Sequence, residues 1–92
     1  MLYSVCYDIA NDARRRKLVK LLKGCAVRVQ ESVFEAELDS KRLVELQTKI
    51  RLVIHGDEDS VRFYRICASC RLSVDIIGTG PPVREEVDIL VV

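Results

Sequence analysis

Two helical apolar patterns, each set between short runs of alternating apolar and polar residues, predict an α+β fold for this chain. The lengths agree, because the alternating runs hold about four to eight residues and the helical patterns ten or more. Gly24, Gly56 and the Gly78-Thr79-Gly80-Pro81-Pro82 stretch punctuate the pattern.

Residues 2–8 read as a first strand, Leu2-Tyr3-Ser4-Val5-Cys6-Tyr7 closing on Asp8. Asn11 or Asp12 can cap a helix running to about Lys23, and Gly24 stops it. On that helix Leu18, Leu21 and Leu22 share one face, and Arg16, Lys20 and Lys23 the opposite one. Arg14 and Arg15 fall in the first turn, from which long side chains can reach past the helix end toward the strand tips and Asp8.

Residues 26–38 read as one long second strand with an irregularity. Val27 and Val29 put the apolar face on odd positions, whereas Phe34, Ala36 and Leu38 put it on even ones. A period-2 pattern cannot change face without an extra or twisted residue, so a bulge or break is expected between Gln30 and Val33. Asp39 or Ser40 caps a second helix through Leu43, Leu46, Ile50 and Val53, ending before Gly56. Val61 to Ile66 reads as a third strand and Leu72 to Ile77 as a fourth.

The expected order is βαββαβ, which folds into an antiparallel four-stranded sheet with both helices on one face, the ferredoxin-like arrangement. The reading divides the chain into a domain over residues 1–78 and a linker with a C-terminal strand over residues 79–92. Val87 to Val92 is too apolar to leave in water and needs a sheet edge to pair with, expected to be that of a second subunit. Dimerisation through the helix-free face of the sheet would hide further apolar surface.

Composition narrows the function classes. The chain has 92 residues, 49% hydrophobic and 32% charged, which is neither disordered nor membrane-spanning. A domain this small buries only about 60–65% of its unfolded surface, so a partner subunit would help it. No cationic segment precedes a hydrophobic signal core, and a cytoplasmic location is expected. The net charge of +1 conceals an asymmetry: residues 1–30 carry seven basic side chains against two acids, a local +5, and residues 31–92 carry −4. Local field draws in a polyanion, so the first third is the candidate nucleic-acid surface.

Asp8 beside Arg14-Arg15-Arg16-Lys17 puts a carboxylate next to phosphate-binding side chains. An acid at a strand tip can hold a hard divalent cation, and guanidinium groups can hold the phosphates that the cation polarises. Among the four cysteines, Cys67-Ala68-Ser69-Cys70 has ligand-like spacing, but structural zinc wants four N or S ligands, to be drawn from Cys6, Cys25 or the single His55. Inert packing of free thiols is the expectation.

Tyr7-Asp8-Ile9, the basic cluster Arg14 to Lys17, Leu21-Leu22-Lys23-Gly24 and Val29-Gln30-Glu31-Ser32-Val33-Phe34-Glu35 together resemble the second universal CRISPR-associated protein family. Asp59-Ser60-Val61-Arg62-Phe63-Tyr64-Arg65-Ile66-Cys67 and Cys70 extend the likeness over nearly the whole chain. The resemblance implies a small ferredoxin-like nuclease of the spacer-acquisition machinery, working as a homodimer with an integrase partner. It further implies a Mg2+ or Mn2+ ion at paired first-strand aspartates, Asp8 here. On the family's pattern catalytic roles fall on Asp8, Tyr7 and Ser32, and substrate contact on Arg15, Arg28 and Phe34; the charge pattern itself adds Arg14, Arg16 and Lys20 as nucleic-acid contacts, since three adjacent arginines cannot all pair with the sparse local acids.

One position departs from the family pattern: Glu31 stands where an aromatic residue is usual. The resemblance is also compatible with a non-catalytic dimeric scaffold bridging integrase subunits. Two other uses of the fold fit less well. An RNA-recognition module needs glycines that Val61 to Ile66 lacks, and a ligand sensor needs a Gly-rich loop where Ile9-Ala10-Asn11-Asp12 stands.

Overall fold

The computed structural model describes residues 1–83. Its elements are β1 (Leu2–Asp8), α1 (Asp12–Lys23), β2 (Val27–Gln30), β3 (Val33–Glu37), α2 (Ser40–Val53), β4 (Ser60–Ile66) and a short α3 (Ala68–Leu72). The strands form one antiparallel sheet in the order β2-β3-β1-β4. This is the expected βαββαβ arrangement with one added turn of helix after it.

Both helices start where the sequence sets a cap. Asn11 Oδ1 accepts the Arg14 N–H at 2.9 Å, and Asp39 Oδ1 accepts the Arg42 N–H at 2.8 Å. Each such bond satisfies a backbone donor that the helix itself cannot, a contribution of about 1 kcal/mol. The helices lie over one face of the sheet. Val5, Tyr7, Phe34 and Ala36 from the strands join Leu18 and Leu22 of α1 and Leu46 and Ile50 of α2 in a single buried cluster. Phe34, Leu18, Leu22 and Val5 are wholly excluded from solvent.

The reading of residues 26–38 as one long strand is corrected. The irregularity is a full reversal: the chain turns at Glu31-Ser32, and β2 pairs back on β3 with Val27 opposite Glu35, Arg28 opposite Phe34 and Gln30 opposite Val33. The register shifts between Arg28 and Gln30, leaving Val29 as the additional residue of a bulge. The change of apolar phase is thereby explained. Phe34 and Ala36 face the helices, whereas Val27, paired with Glu35, lies on the helix-free side.

Leu72 to Ile77 is not a strand. After β4 the chain enters α3, and residues 74–83 then run beside Val29, Gln30 and Glu35 without joining the sheet. Alternation alone does not make a strand, since a ladder also needs a partner with free N–H and C=O groups at that point. Ile76 and Ile77 consequently stay exposed. The expected terminal strand, Val87 to Val92, lies outside the described residues.

A partly buried ion pair ties α1 to the turn before β4. Arg14 Nε donates to Asp59 Oδ2 at 2.7 Å and its Nη2 to Asp59 Oδ1 at 3.1 Å, a two-pronged contact, and Nη2 also reaches Glu58 Oε2 at 2.8 Å. The His55 backbone N–H completes the set on Asp59 Oδ2 at 2.8 Å. Among the described residues no helix is long and apolar enough to cross a membrane.

Candidate nucleic-acid and metal site

A groove of about 930 Å3 opens where β1 ends, lined by Tyr7, Asp8, Arg15, Arg16, Lys20 and Arg28, with Lys23, Glu31 and Ser32. The topology makes it. β1 carries Asp8 to the end of a central strand, α1 departs from that end with its cationic face turned outward, and the β2–β3 turn comes up beside it.

Asp8 is exposed, opposite Ser60 in the β1–β4 register, and among the described residues its carboxylate has neither a hydrogen-bond nor an ion-pair partner. Arg16, Lys20 and Lys23 are exposed and likewise unpaired among the described residues. An open carboxylate next to unpaired cations is the reverse of the usual surface arrangement, in which such neighbours neutralise each other.

The turn residues are held tightly. The Glu31 carbonyl accepts three donors, the Tyr7 hydroxyl at 2.9 Å and Arg28 Nη2 and Nε at 2.5 and 3.2 Å. The Tyr7 backbone N–H donates to the Ser32 carbonyl at 3.1 Å. Tyr7 and Arg28 thus pin Glu31 and Ser32 against the tip of β1. The Arg28 guanidinium also lies 5.6 Å from the centre of the Phe34 ring, a cation–π contact that sets its direction.

Seven of the nine residues expected at the site therefore line one groove. The other two do not. Phe34 is wholly buried, so it supports Arg28 from below and offers no face to a base. Arg14 points away to Asp59 and Glu58 and is not among the residues that line the groove. Its partners are 44 and 45 residues distant in sequence and adjacent in space. Arg15 is partly engaged, donating to the Ile9 and Ala10 carbonyls at 3.1 and 3.3 Å and pairing with Asp12. Lys23 and Glu31 line the groove as well. Lys23 was legible on the cationic face of α1, and Glu31 as the departure from the family pattern.

No group of three or more His, Cys, Asp or Glu side chains able to hold a metal exists among the described residues. Two acidic residues, Asp8 and Glu31, line the groove. That donor set suits Mg2+, which keeps several waters and takes one or two carboxylates together with substrate phosphates. It does not suit zinc.

Comparison with known proteins finds relatives of the whole chain. The family model described as CRISPR associated protein Cas2 matches residues 1–74. The "CRISPR-associated endoribonuclease Cas2 1" of Chloroflexus aurantiacus is 45% identical over 93 residues, covering 100% of both chains. The "CRISPR-associated endonuclease Cas2 2" of Thermus thermophilus is 41% identical over 90 residues, covering 97% of this chain and 96% of that one. Among solved structures, a chain of the "Partial Cas6-RT-Cas1--Cas2 complex" superposes with a TM-score of 0.77 at 31% identity, covering 92% of this chain and 98% of its own. With a family match spanning most of the sequence and full-length relatives of the same size, this chain belongs to the Cas2 family of CRISPR-associated proteins.

Proposed function

We propose that this chain is a subunit of the spacer-acquisition stage that binds the backbone of a nucleic acid in the Asp8 groove and hydrolyses phosphodiester bonds as a Mg2+-dependent endonuclease. The observation that carries the reading is the unpaired Asp8 carboxylate set among Arg15, Arg16, Lys20, Lys23 and Arg28 in one open groove. Relatives named endoribonuclease and endonuclease support the chemistry.

Each side chain has a separable task. Arg16, Lys20 and Lys23 take phosphates, because cations with no internal partner lose nothing on binding them. Arg28, fixed over Phe34 and against the Glu31 carbonyl, presents a guanidinium at a set angle. Tyr7 holds the turn that carries Glu31 and Ser32. Asp8, with Glu31 in reach of the same groove, would hold Mg2+ or Mn2+, which supplies the positive charge that offsets the phosphate oxygens under attack.

The protein is proposed to act in the cytoplasm as a homodimer that brings two Asp8 carboxylates to one site. The exposed Ile76 and Ile77 beyond β4 support such pairing, since isolated water would otherwise meet an apolar segment. The integrase is the proposed larger partner, supported by the complex in which the structural neighbour resides. A second reading, a non-catalytic scaffold bridging integrase subunits, is favoured by one observation: among the described residues the groove is lined by two acidic residues, Asp8 and Glu31, and no histidine.

Cleavage of single- and double-stranded RNA and DNA with and without Mg2+, for the wild type and Asp8→Asn, separates the two. The nuclease reading expects the variant to lose about 100-fold or more in cleavage rate while keeping duplex affinity. Wild-type protein that binds but cleaves none of the four substrates supports the scaffold. Cleavage by the variant at the wild-type rate removes Asp8 from the chemistry.

A further inference from the structure

Cys67 and Cys70 stand apart from the groove, where α3 follows β4, and both are exposed. The Sγ of Cys67 accepts the Cys70 backbone N–H at 3.4 Å and lies 3.2 Å from the Ser69 Oγ. The Cys67 sulfur thus lies against the first turn of α3, where its thiol and that of Cys70 share a hydrogen bond on the surface. Among the described residues they gather no further ligand that would make a metal site, which leaves the chemistry of sulfur itself.

The two sulfurs are not alike. Hydrogen bonds from the Ser69 hydroxyl and then from the Cys70 thiol favour the Cys67 thiolate, bringing its pKa from the ordinary 9.0 to about 7. The Cys70 thiol is pushed up, chiefly because its proton is the one shared with Cys67. A sulfur ionised near neutrality beside one that keeps its proton is the asymmetry thiol–disulfide exchange uses. The remaining thiols lack it. Cys25 donates to the Leu21 carbonyl at 3.8 Å and is pushed up by burial, and Cys6 is half-buried beside Ser4.

We propose that Cys67 and Cys70 form a redox-active surface dithiol that exchanges with small-molecule disulfides, Cys67 attacking and Cys70 resolving. The Cys67 thiolate attacks one sulfur of R–S–S–R, a bond forms between Cys67 and that sulfur, the original S–S bond breaks, and RS− leaves to take a proton from water. Cys70 then gives its proton to solvent and attacks Cys67 Sγ, expelling the second RS−. Two electrons pass from the dithiol to the disulfide, leaving two RSH and a Cys67–Cys70 bond. Excess thiol reverses the sequence. The device adjoins a structural tie, because Arg71, next to Cys70, pairs with Glu37, which also accepts the Met1 ammonium at 3.2 Å.

The test uses the full chain, reduced and then incubated with oxidised glutathione at neutral pH, trapped with N-ethylmaleimide and weighed intact. The expected product takes up two maleimides in place of the four that the reduced protein's free thiols accept, with peptide mapping placing the new bond between Cys67 and Cys70. Cys70→Ser should stop at a glutathionyl group on Cys67, and Cys67→Ser should stay unmodified over the same interval. Four maleimides after oxidation, a glutathionyl group settling on Cys25, or Cys67→Ser reacting as fast as wild type would each overturn the proposal. Wild-type labelling kinetics need no variant: Cys67 should react with maleimide before Cys70, and equal rates would also overturn it.

Discussion

The two sides of α1 carry cations of the same kind and put them to opposite uses. On one side Arg14 is gripped by Asp59, Glu58 and the loop before β4. On the other, Arg16, Lys20 and Lys23 meet no acid among the described residues and line the groove that holds Asp8. Arg15 stands between them, tied to the carbonyls of Ile9 and Ala10 yet lining the groove. A cation whose charge is already answered inside the fold has little left for a phosphate, so counting basic residues overstates a binding surface. What decides is which of them the fold leaves unanswered.

This difference can be broken by substitution. Replacing Arg16 and Lys20 with Ala should weaken nucleic-acid binding for all sequences alike and lower the salt slope by about 0.9 per lost phosphate contact, readable in titrations at several salt concentrations. Arg14→Ala should leave that slope unchanged and lower the melting temperature instead. If Arg14→Ala flattens the salt slope as much as the double variant does, the two sides of the helix are not functionally distinct.

Acid should act on the Arg14 side. The Arg14 guanidinium, and after it the His55 N–H, hold the Asp59 carboxyl below its ordinary value of 3.8. The unfolded chain therefore binds the proton more readily than the folded one. The stabilisation is present in full above the ordinary value and is lost as pH falls through it toward the folded value. Melting temperatures of wild type and Asp59→Asn should differ most near pH 6 and draw together as pH falls below the ordinary value of 3.8. A constant gap across that range would mean that Asp59 stabilises by shape and not by charge.

The smallest expected effect sharpens the assignment within the groove. Tyr7→Phe removes one of three donors to the Glu31 carbonyl, and the loss should be about 0.5–1.5 kcal/mol of stability in denaturant unfolding. Cleavage should persist, because Arg28 still holds the turn. A loss as large as that of Asp8→Asn would place the Tyr7 hydroxyl in the chemistry.

Local chemistry was legible in the sequence by itself. β1 and its closing Asp8, both helices with their Asn11 and Asp39 caps, the outward cationic face of α1 and the change of apolar phase in residues 26–38 all rest on residues a few positions apart. The motif series from Tyr7 to Cys70 likewise pointed to the family that the comparisons establish. Tertiary structure alone decided the rest. Whether the phase change was a bulge or a reversal depended on pairing with β1 and on the Tyr7 hydrogen bonds to the turn. Whether Leu72 to Ile77 joined the sheet depended on a partner edge. Phe34 disappeared beneath Arg28, and Arg14 found acids more than forty residues away. Hydrogen-bonding capacity and charge are properties of a residue, but their satisfaction is a property of whatever the fold brings within about 3 Å, and that is not written at any single position.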